Sequence, residues 1–413
     1  MVSTEIKKTI LPQGIKIVTE SIPYIDSFSL GFWFNVGSRD ENKNSNGITH
    51  FIEHMLFKGT DKRSPARIAS DIESYGGYLN AFTSKEHTCY YGRGLSQYIE
   101  KTFDVLADMI QNPAFKDSEI KKEAGVIVDE LYDIEDSPEE LIFDKFEEYL
   151  FSGYSLGLPV IGTEKNIRKF SRDDMVDFIE KKYGFNQLTI AACGNVDHDQ
   201  IVRLAGKYIV KDLGKKYIKR KFAQSGGRGD YFVEKEIQQV HTIIGTSTYG
   251  YADRKRAMVN VLSHIIGEGS SSRLFQTIRE KNGICYQLNS FLNSFYDISA
   301  FGVYLSTSEK FFEKSRSLVL NEYKKLREKR VTERELKKAK EYLKGNMIIA
   351  LESMSDRMFR NAQSEIYYDR VISVEESIRE IDAVSADEVL QIANETLSEE
   401  VLSTIVLKSG NPF

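Results

Sequence analysis

The chain repeats itself. His54-Met55-Leu56-Phe57-Lys58-Gly59 lines up with His264-Ile265-Ile266-Gly267-Glu268-Gly269, and Glu119-Ile120-Lys121-Lys122 lines up with Glu335-Leu336-Lys337-Lys338. Ser171 lines up with Ser385, so the three offsets are 210, 216 and 214 positions. Landmarks in one order, with drift no larger than loop changes, point to two copies of one structural unit. That constrains the architectures open to 413 residues, a length already too great for one ordinary core. The expected halves are 1–215 and 228–413, joined by a linker at 216–227. There, basic residues run into Ser225-Gly226-Gly227-Arg228-Gly229, which reads as a flexible joint.

Local patterns repeat as well. Ser171 and Ser385 each precede first-turn acids, as helix N-caps do, and each helix leads to a strand, at 188–192 and 402–407. Helical patterns occupy 48–57, 67–75, 100–110 and 118–133; strands are expected at 78–82 and 87–93, around a turn at 83–86. The N-terminus reads as strand, turn, strand. Hairpins mixed with helices predict an α+β chain of two homologous domains, each a mainly antiparallel sheet flanked by helices on one face.

Charge and cysteine content narrow the function. A net charge of −5 disfavours nucleic acid as a partner, and no apolar run reaches membrane-spanning length. The N-terminus has no apolar signal core, so a cytoplasmic location is expected, with no membrane partner. Cys89, Cys193 and Cys285 lie far apart without Cys-x-x-Cys spacing, which argues against a disulfide framework or a thiolate zinc site. Each reads as a small buried residue.

The chemistry gathers at His50-Phe51-Ile52-Glu53-His54. Four residues apart on a helix, the two imidazoles share one face and reach one ion, while Glu53 projects beside them as a candidate general base. This His-x-x-Glu-His order is an inverted zinc-peptidase signature. A helix with two merely satisfied histidines has the same pattern; what favours metal is a further carboxylate, Glu130, 76 positions after His54. Two imidazoles and one carboxylate leave a zinc coordination position open for catalysis. Glu123 lies two turns before Glu130 on the same helix face, either as a solvated acid or as a group that orients a ligand.

These residues and their spacing resemble the M16 (pitrilysin) family of zinc metallopeptidases. The length resembles the short bacterial type related to the mitochondrial processing peptidase beta subunit. The likeness spans nearly the whole chain and implies a LuxS/MPP-like metallohydrolase architecture. It implies one Zn2+ per chain on His50, His54 and Glu130, with Glu53 as base and Glu123 as supporting acid. Asn80-Ala81-Phe82-Thr83 is similar to the family's substrate-binding edge strand, and Arg279 and Tyr286 to a pair that contacts the substrate carbonyl. Read alone, Arg279 is a surface helix charge and Tyr286 a strand aromatic. The resemblance implies an endopeptidase acting on short or unfolded peptides in a closed dimeric chamber. That chamber would be a homodimer with composite sites, although a heterodimer with a sister chain meets the same need. A non-catalytic partner subunit or a peptide-binding module is the competing expectation.

The other histidines carry less. His87 is expected half-exposed in a strand, His198 in a loop and His241 in a strand. In the second half Asn260, Ser263, Ala339 and Asn346 stand opposite His50, Glu53, Glu123 and Glu130. That half is expected to keep the scaffold without the metal.

Overall fold

A computed structural model describes residues 5–211, 214 and 220–410; positions 216–219 of the expected linker lie outside the described residues. The first half begins with strands β1 (Glu5–Ile10), β2 (Lys16–Ser21) and β3 (Ser27–Phe34), then helices α1 (Ile48–Leu56) and α2 (Pro65–Glu73). The hairpin β4 (Tyr78–Thr83) and β5 (Thr88–Leu95) precedes α3 (Ile99–Gln111), α4 (Asp117–Asp136) and α5 (Pro138–Leu150). Next come α6 (Glu164–Ile167), α7 (Arg172–Lys182), β6 (Leu188–Gly194) and α8 (His198–Tyr208). The second half opens with β7 (Gly229–Glu234), β8 (Val240–Tyr249) and α9 (Lys255–Gly267), then β9 (Gln287–Ser294) and β10 (Ile298–Thr307). It ends with α10 (Phe312–Glu328), α11 (Glu333–Ala350), α12 (Met354–Tyr368), α13 (Val374–Ala383), α14 (Ala386–Thr396) and β11 (Ser403–Lys408).

Two sheets form, ordered β1-β2-β6-β3-β5-β4 and β7-β11-β8-β10-β9. Leaving out β1, the two orders correspond strand for strand. Each sheet is antiparallel except at one matching place, β2 with β6 and β11 with β7. The duplication read from short motifs is therefore a duplication of topology. The serine caps match too: Ser171 closes a capping box with Asp174, and Ser385 closes one with Glu388.

Each sheet carries helices on both faces, where one covered face was expected. Successive strand residues point to opposite faces, and β3 shows where they go. Phe32 meets Phe103 of α3 edge-on at 4.9 Å, while the indole of its neighbour Trp33 donates to Met358 Sδ of α12 at 3.3 Å. In the second sheet Ile244 joins a core with α9 and α14, and Ile243 joins one with α5. The extra helix of each sheet comes from the other half of the chain. One compact unit gathers Met1–Leu131, Leu158–Arg220 and Ile349–Ile372; the other gathers Tyr132–Gly157, Lys221–Ile348 and Ser373–Phe413.

The glycines at the end of the expected linker are closely packed, in place of the expected flexible joint. Gly226 N–H donates to Leu150 O at 2.8 Å, and a Cβ on Gly227 would lie 2.4 Å from Tyr149 O. All three cysteines are buried and unpaired. Among the described residues no helix is long and apolar enough to cross a membrane.

Candidate metal centre

Helix α1 exists because one face is apolar. Ile48, Phe51, Ile52, Met55 and Leu56 are all buried at helical spacing. Its start is fixed by Gly47, whose φ of 96° is left-handed and whose Cβ would meet Ile161 O at 2.7 Å, so only glycine fits there. The buried Glu41 carboxylate then accepts from Gly47 N–H and Thr49 N–H, each at 2.8 Å, satisfying donors that a helix N-terminus leaves open. What remains on the other face is His50, Glu53 and His54, all half-buried.

Helix α4 brings the carboxylates. Glu123 is 2% exposed, and its Oε1 lies 2.9 Å from His54 Nδ1. Its Oε2 is 2.8 Å from the Lys58 ammonium. Glu130, two turns on, is more open, with Oε1 3.7 Å from His50 Nε2 and Oε2 3.5 Å from His54 Nε2. These separations are too long for hydrogen bonds. They suit donors sharing an ion, since two ligands at zinc-bond length in a tetrahedron stand about 3.4 Å apart. Ligand atoms of His50, His54 and Glu130 all fall within 4.8 Å of one another, a group able to hold a metal ion. Two imidazoles with one carboxylate suit zinc, and Glu123 on Nδ1 leaves His54 Nε2 directed toward Glu130.

Electrostatics separate the two imidazoles. Burial, with His54 nearby, lowers the His50 pKa to about 3, which keeps a lone pair available. His50 Nδ1 is buried and has no hydrogen-bond partner among the described residues. Burial also works against charge on His54, but the Glu123 hydrogen bond and the Glu130 and Glu53 carboxylates outweigh it and raise its pKa. Burial pushes the Glu53 carboxyl upward, toward the range a proton-transferring base needs, while the Thr83 hydroxyl pulls it back.

Strand β4 is the open edge of its sheet. Asn80 is exposed, and Ala81, Phe82 and Thr83 are half-buried. Ala81 N–H donates to the Asn80 side-chain oxygen at 2.9 Å, and Asn80 Nδ2 donates to Tyr78 Oη at 2.8 Å. Thr83 does something the sequence reading did not foresee: its hydroxyl donates to Glu53 Oε2 at 2.6 Å. Lys58 was missed as well; its position one turn after His54 was the available signal, but its partner on α4 is a matter of tertiary structure.

Arg279 and Tyr286 lie in the other compact unit, both exposed, with the guanidinium 5.3 Å from the Tyr286 ring. Two histidine expectations fail. His87 is buried against Trp33, at 5.1 Å, because the turn before β5 folds inward. His198 is no loop residue but the first residue of α8, capped by Asp197, with its ring nitrogens 2.8 Å from Thr9 and Thr19 hydroxyls. His241 lies in β8, as expected.

The relatives point the same way. Residues 16–164 match the family model described as insulinase (peptidase family M16), and 169–343 match the one described as peptidase M16 inactive domain. An uncharacterized zinc protease of Streptomyces coelicolor is 33% identical over 410 residues, 97% of this chain and 89% of the relative. One from Bacillus subtilis is 32% identical over 411 residues, 98% of this chain and 99% of its own length. In fold, a protease from Helicobacter pylori superposes with a TM-score of 0.90 at 22% identity, covering 98% of this chain and 99% of that one. A peptidase M16 inactive domain from Pseudomonas fluorescens gives 0.91 at 18% identity, covering 98% of both. On its sequence matches, the chain belongs to the M16 (insulinase) family of peptidases, among relatives named as zinc proteases.

Proposed function

We propose that this protein is a zinc-dependent endopeptidase for short or unfolded peptides, with one catalytic ion held by His50, His54 and Glu130. The supporting observation is the convergence of those three ligand groups within 4.8 Å beside Glu53. A Zn2+ ion there supplies Lewis acidity, acidifying water and polarising a peptide carbonyl. Glu53 takes the proton from the attacking water and returns it to the leaving amine. Glu123 fixes the His54 ring through Nδ1, and Lys58 fixes Glu123. The peptide adds as a strand on β4, exchanging main-chain hydrogen bonds along Asn80–Thr83 and displacing the Asn80 side chain from Ala81 N–H. That mode selects for extended chains and only weakly for sequence.

Arg279 and Tyr286 act on the substrate carbonyl from a partner chain, in a cytoplasmic homodimer whose two closed sites are each composite. Mixing Glu53→Gln chains with Arg279→Ala/Tyr286→Phe chains should restore one working site per mixed dimer. No recovery after proven subunit exchange would refute the sharing.

The direct test is mass spectrometry of products from a mixed peptide library, with and without chelator. New termini that vanish with chelator support the reading. The match of 169–343 to a domain described as inactive favours a second reading, a non-catalytic partner subunit or peptide-binding module. It requires peptide binding that survives chelator and yields no products.

A further inference from the structure

We propose that Thr83 is a positioning residue for the base, coupling the edge strand to Glu53; this rests on the peptidase reading above. The Glu53 carboxylate ends a flexible side chain on α1, and among the described residues its one hydrogen-bond donor is the Thr83 hydroxyl, at 2.6 Å. A hydroxyl has a single hydrogen to give. Bound at Oε2, it pins the carboxylate plane and leaves Oε1 for proton transfer. Threonine suits the task because its β-branched side chain is stiff at χ1, so the hydroxyl is directed before any substrate arrives.

The support behind Thr83 is rigid. It is the last residue of β4, paired with Thr88 of β5. In the turn that follows, Ser84 N–H donates to His87 O at 2.8 Å and Lys85 Nζ to Leu158 O at 2.7 Å. Glu86 is held by Arg39 at 2.7 Å and by the Tyr367 hydroxyl at 2.9 Å, while Arg220 Nη2 donates to the Glu86 carbonyl at 2.5 Å. The Arg39 and Tyr367 contacts to the Glu86 carboxylate are buried and charge-assisted, which fixes geometry more firmly than an exposed turn can. Strand alternation puts Ala81 on the same face as Thr83, and both lie in the segment proposed to take the peptide. A peptide in register on β4 is thus in register with the base, and one hydroxyl makes the connection.

Thr83→Val keeps the shape of the side chain and removes its donor. The expected result is a fall in kcat on the order of 10²-fold, the cost of a misplaced catalytic group, with KM and zinc content unchanged. Thr83→Ser, which keeps the donor, should recover most of that loss. In crystal structures, the Glu53 carboxylate should leave its place in Thr83→Val and hold it in Thr83→Ser. Should the valine variant not fold, Thr83→Ala against Thr83→Ser makes the same comparison. Wild-type kcat without the hydroxyl, a serine variant as slow as the valine, or an unmoved Glu53 would overturn the proposal. If the wild type cleaves no peptide, the peptidase reading falls, and the crystallographic comparison still decides whether Thr83 holds Glu53.

Discussion

Helices α1 and α9 are the same helix put to different uses. Phe51, Ile52, Met55 and Leu56 of α1 correspond to Val261, Leu262, Ile265 and Ile266 of α9, and all eight are buried. The polar face has changed at all but one position. Ser263 replaces Glu53, Asn260 replaces His50, and only His264 remains where His54 stands. Lys58 has become Glu268, reversing the charge at the position that secures Glu123 in the first half. In the second half Glu268, just past the end of α9, turns back on that helix, its Oε1 3.1 Å from Ser263 Oγ and its Oε2 3.6 Å from His264 Nδ1. The imidazole stacks on Tyr342 at 4.3 Å, and a buried Ala339 stands where Glu123 would be. Folding depends on the apolar face, and metal chemistry on a few polar residues. The second set can drift while the first stays.

The sharpest way to break this comparison is to take away the polar residues that the second half has lost. Glu53→Gln should lower kcat by at least about 10²-fold, because it removes proton transfer while leaving size and zinc ligands in place. Full activity in that variant with zinc still bound would end the mechanism. Glu123→Ala, which reproduces Ala339, should weaken zinc binding by about 10–100-fold through a loosened His54. A competition titration with a chromophoric chelator reads this directly, and an unchanged affinity would mean that Glu123 is only structural. Lys58→Glu should weaken zinc in the same direction by a smaller factor, since Glu123 remains but faces a like charge.

The reverse test is quieter. His264→Leu removes the surviving imidazole of the second half. Zinc should stay at one ion per chain by elemental analysis, and stability should fall by about 1 kcal/mol as the stack on Tyr342 is lost. A drop in zinc content would show that the second half still binds metal, contrary to the reading of Asn260, Ala339 and Asn346.

How much of this was legible in the sequence follows the same division. The His50/His54 pair was legible because helix periodicity converts a four-residue spacing into a shared face, and the serine caps because their chemistry is local. Glu130 was legible only through a spacing between two helices together with a family likeness. Lys58 and Thr83 as partners of Glu123 and Glu53 were not legible, because each contact joins elements whose approach depends on the packed sheet. The burial of His87 escaped for the same reason: alternation places a residue on a face, but cannot say that the turn folds inward onto Trp33 and onto Tyr367 of α12.

That covering helix provides a second comparison and the smallest effect. Helices α5 and α12 are repeat counterparts, capped by Ser137 and Ser353 and offset by 216 positions. Ile142, Phe146 and Leu150 seat α5 in an apolar core. Met358 and Ala362, with Met354, Phe359 and Ile366 beside them, seat α12 as well, and a polar set adds to that seat: Arg357 and Asn361 hold Glu20, and Lys8 and Lys16 reach Glu365 and Asp369. Acid should therefore loosen α12 before α5. The Lys16 ammonium holds the Asp369 carboxyl down at about 2, against an ordinary 3.8. A folded-state value below the unfolded one stabilises above the ordinary range, and that stability is lost as pH falls through about 2. Asp369 is largely exposed, so solvent screening limits the contribution to under about 1 kcal/mol. Asp369→Asn isolates the charge, since the residue sits at a left-handed φ of 54° that asparagine also tolerates. Hydrogen exchange at pH 4 should show faster opening of α12 in Asp369→Asn than in the wild type, with α5 unchanged. As the pH is lowered toward 2 the two proteins should converge, and equal loosening of both helices would mean that the polar seat of α12 has no part in its acid sensitivity.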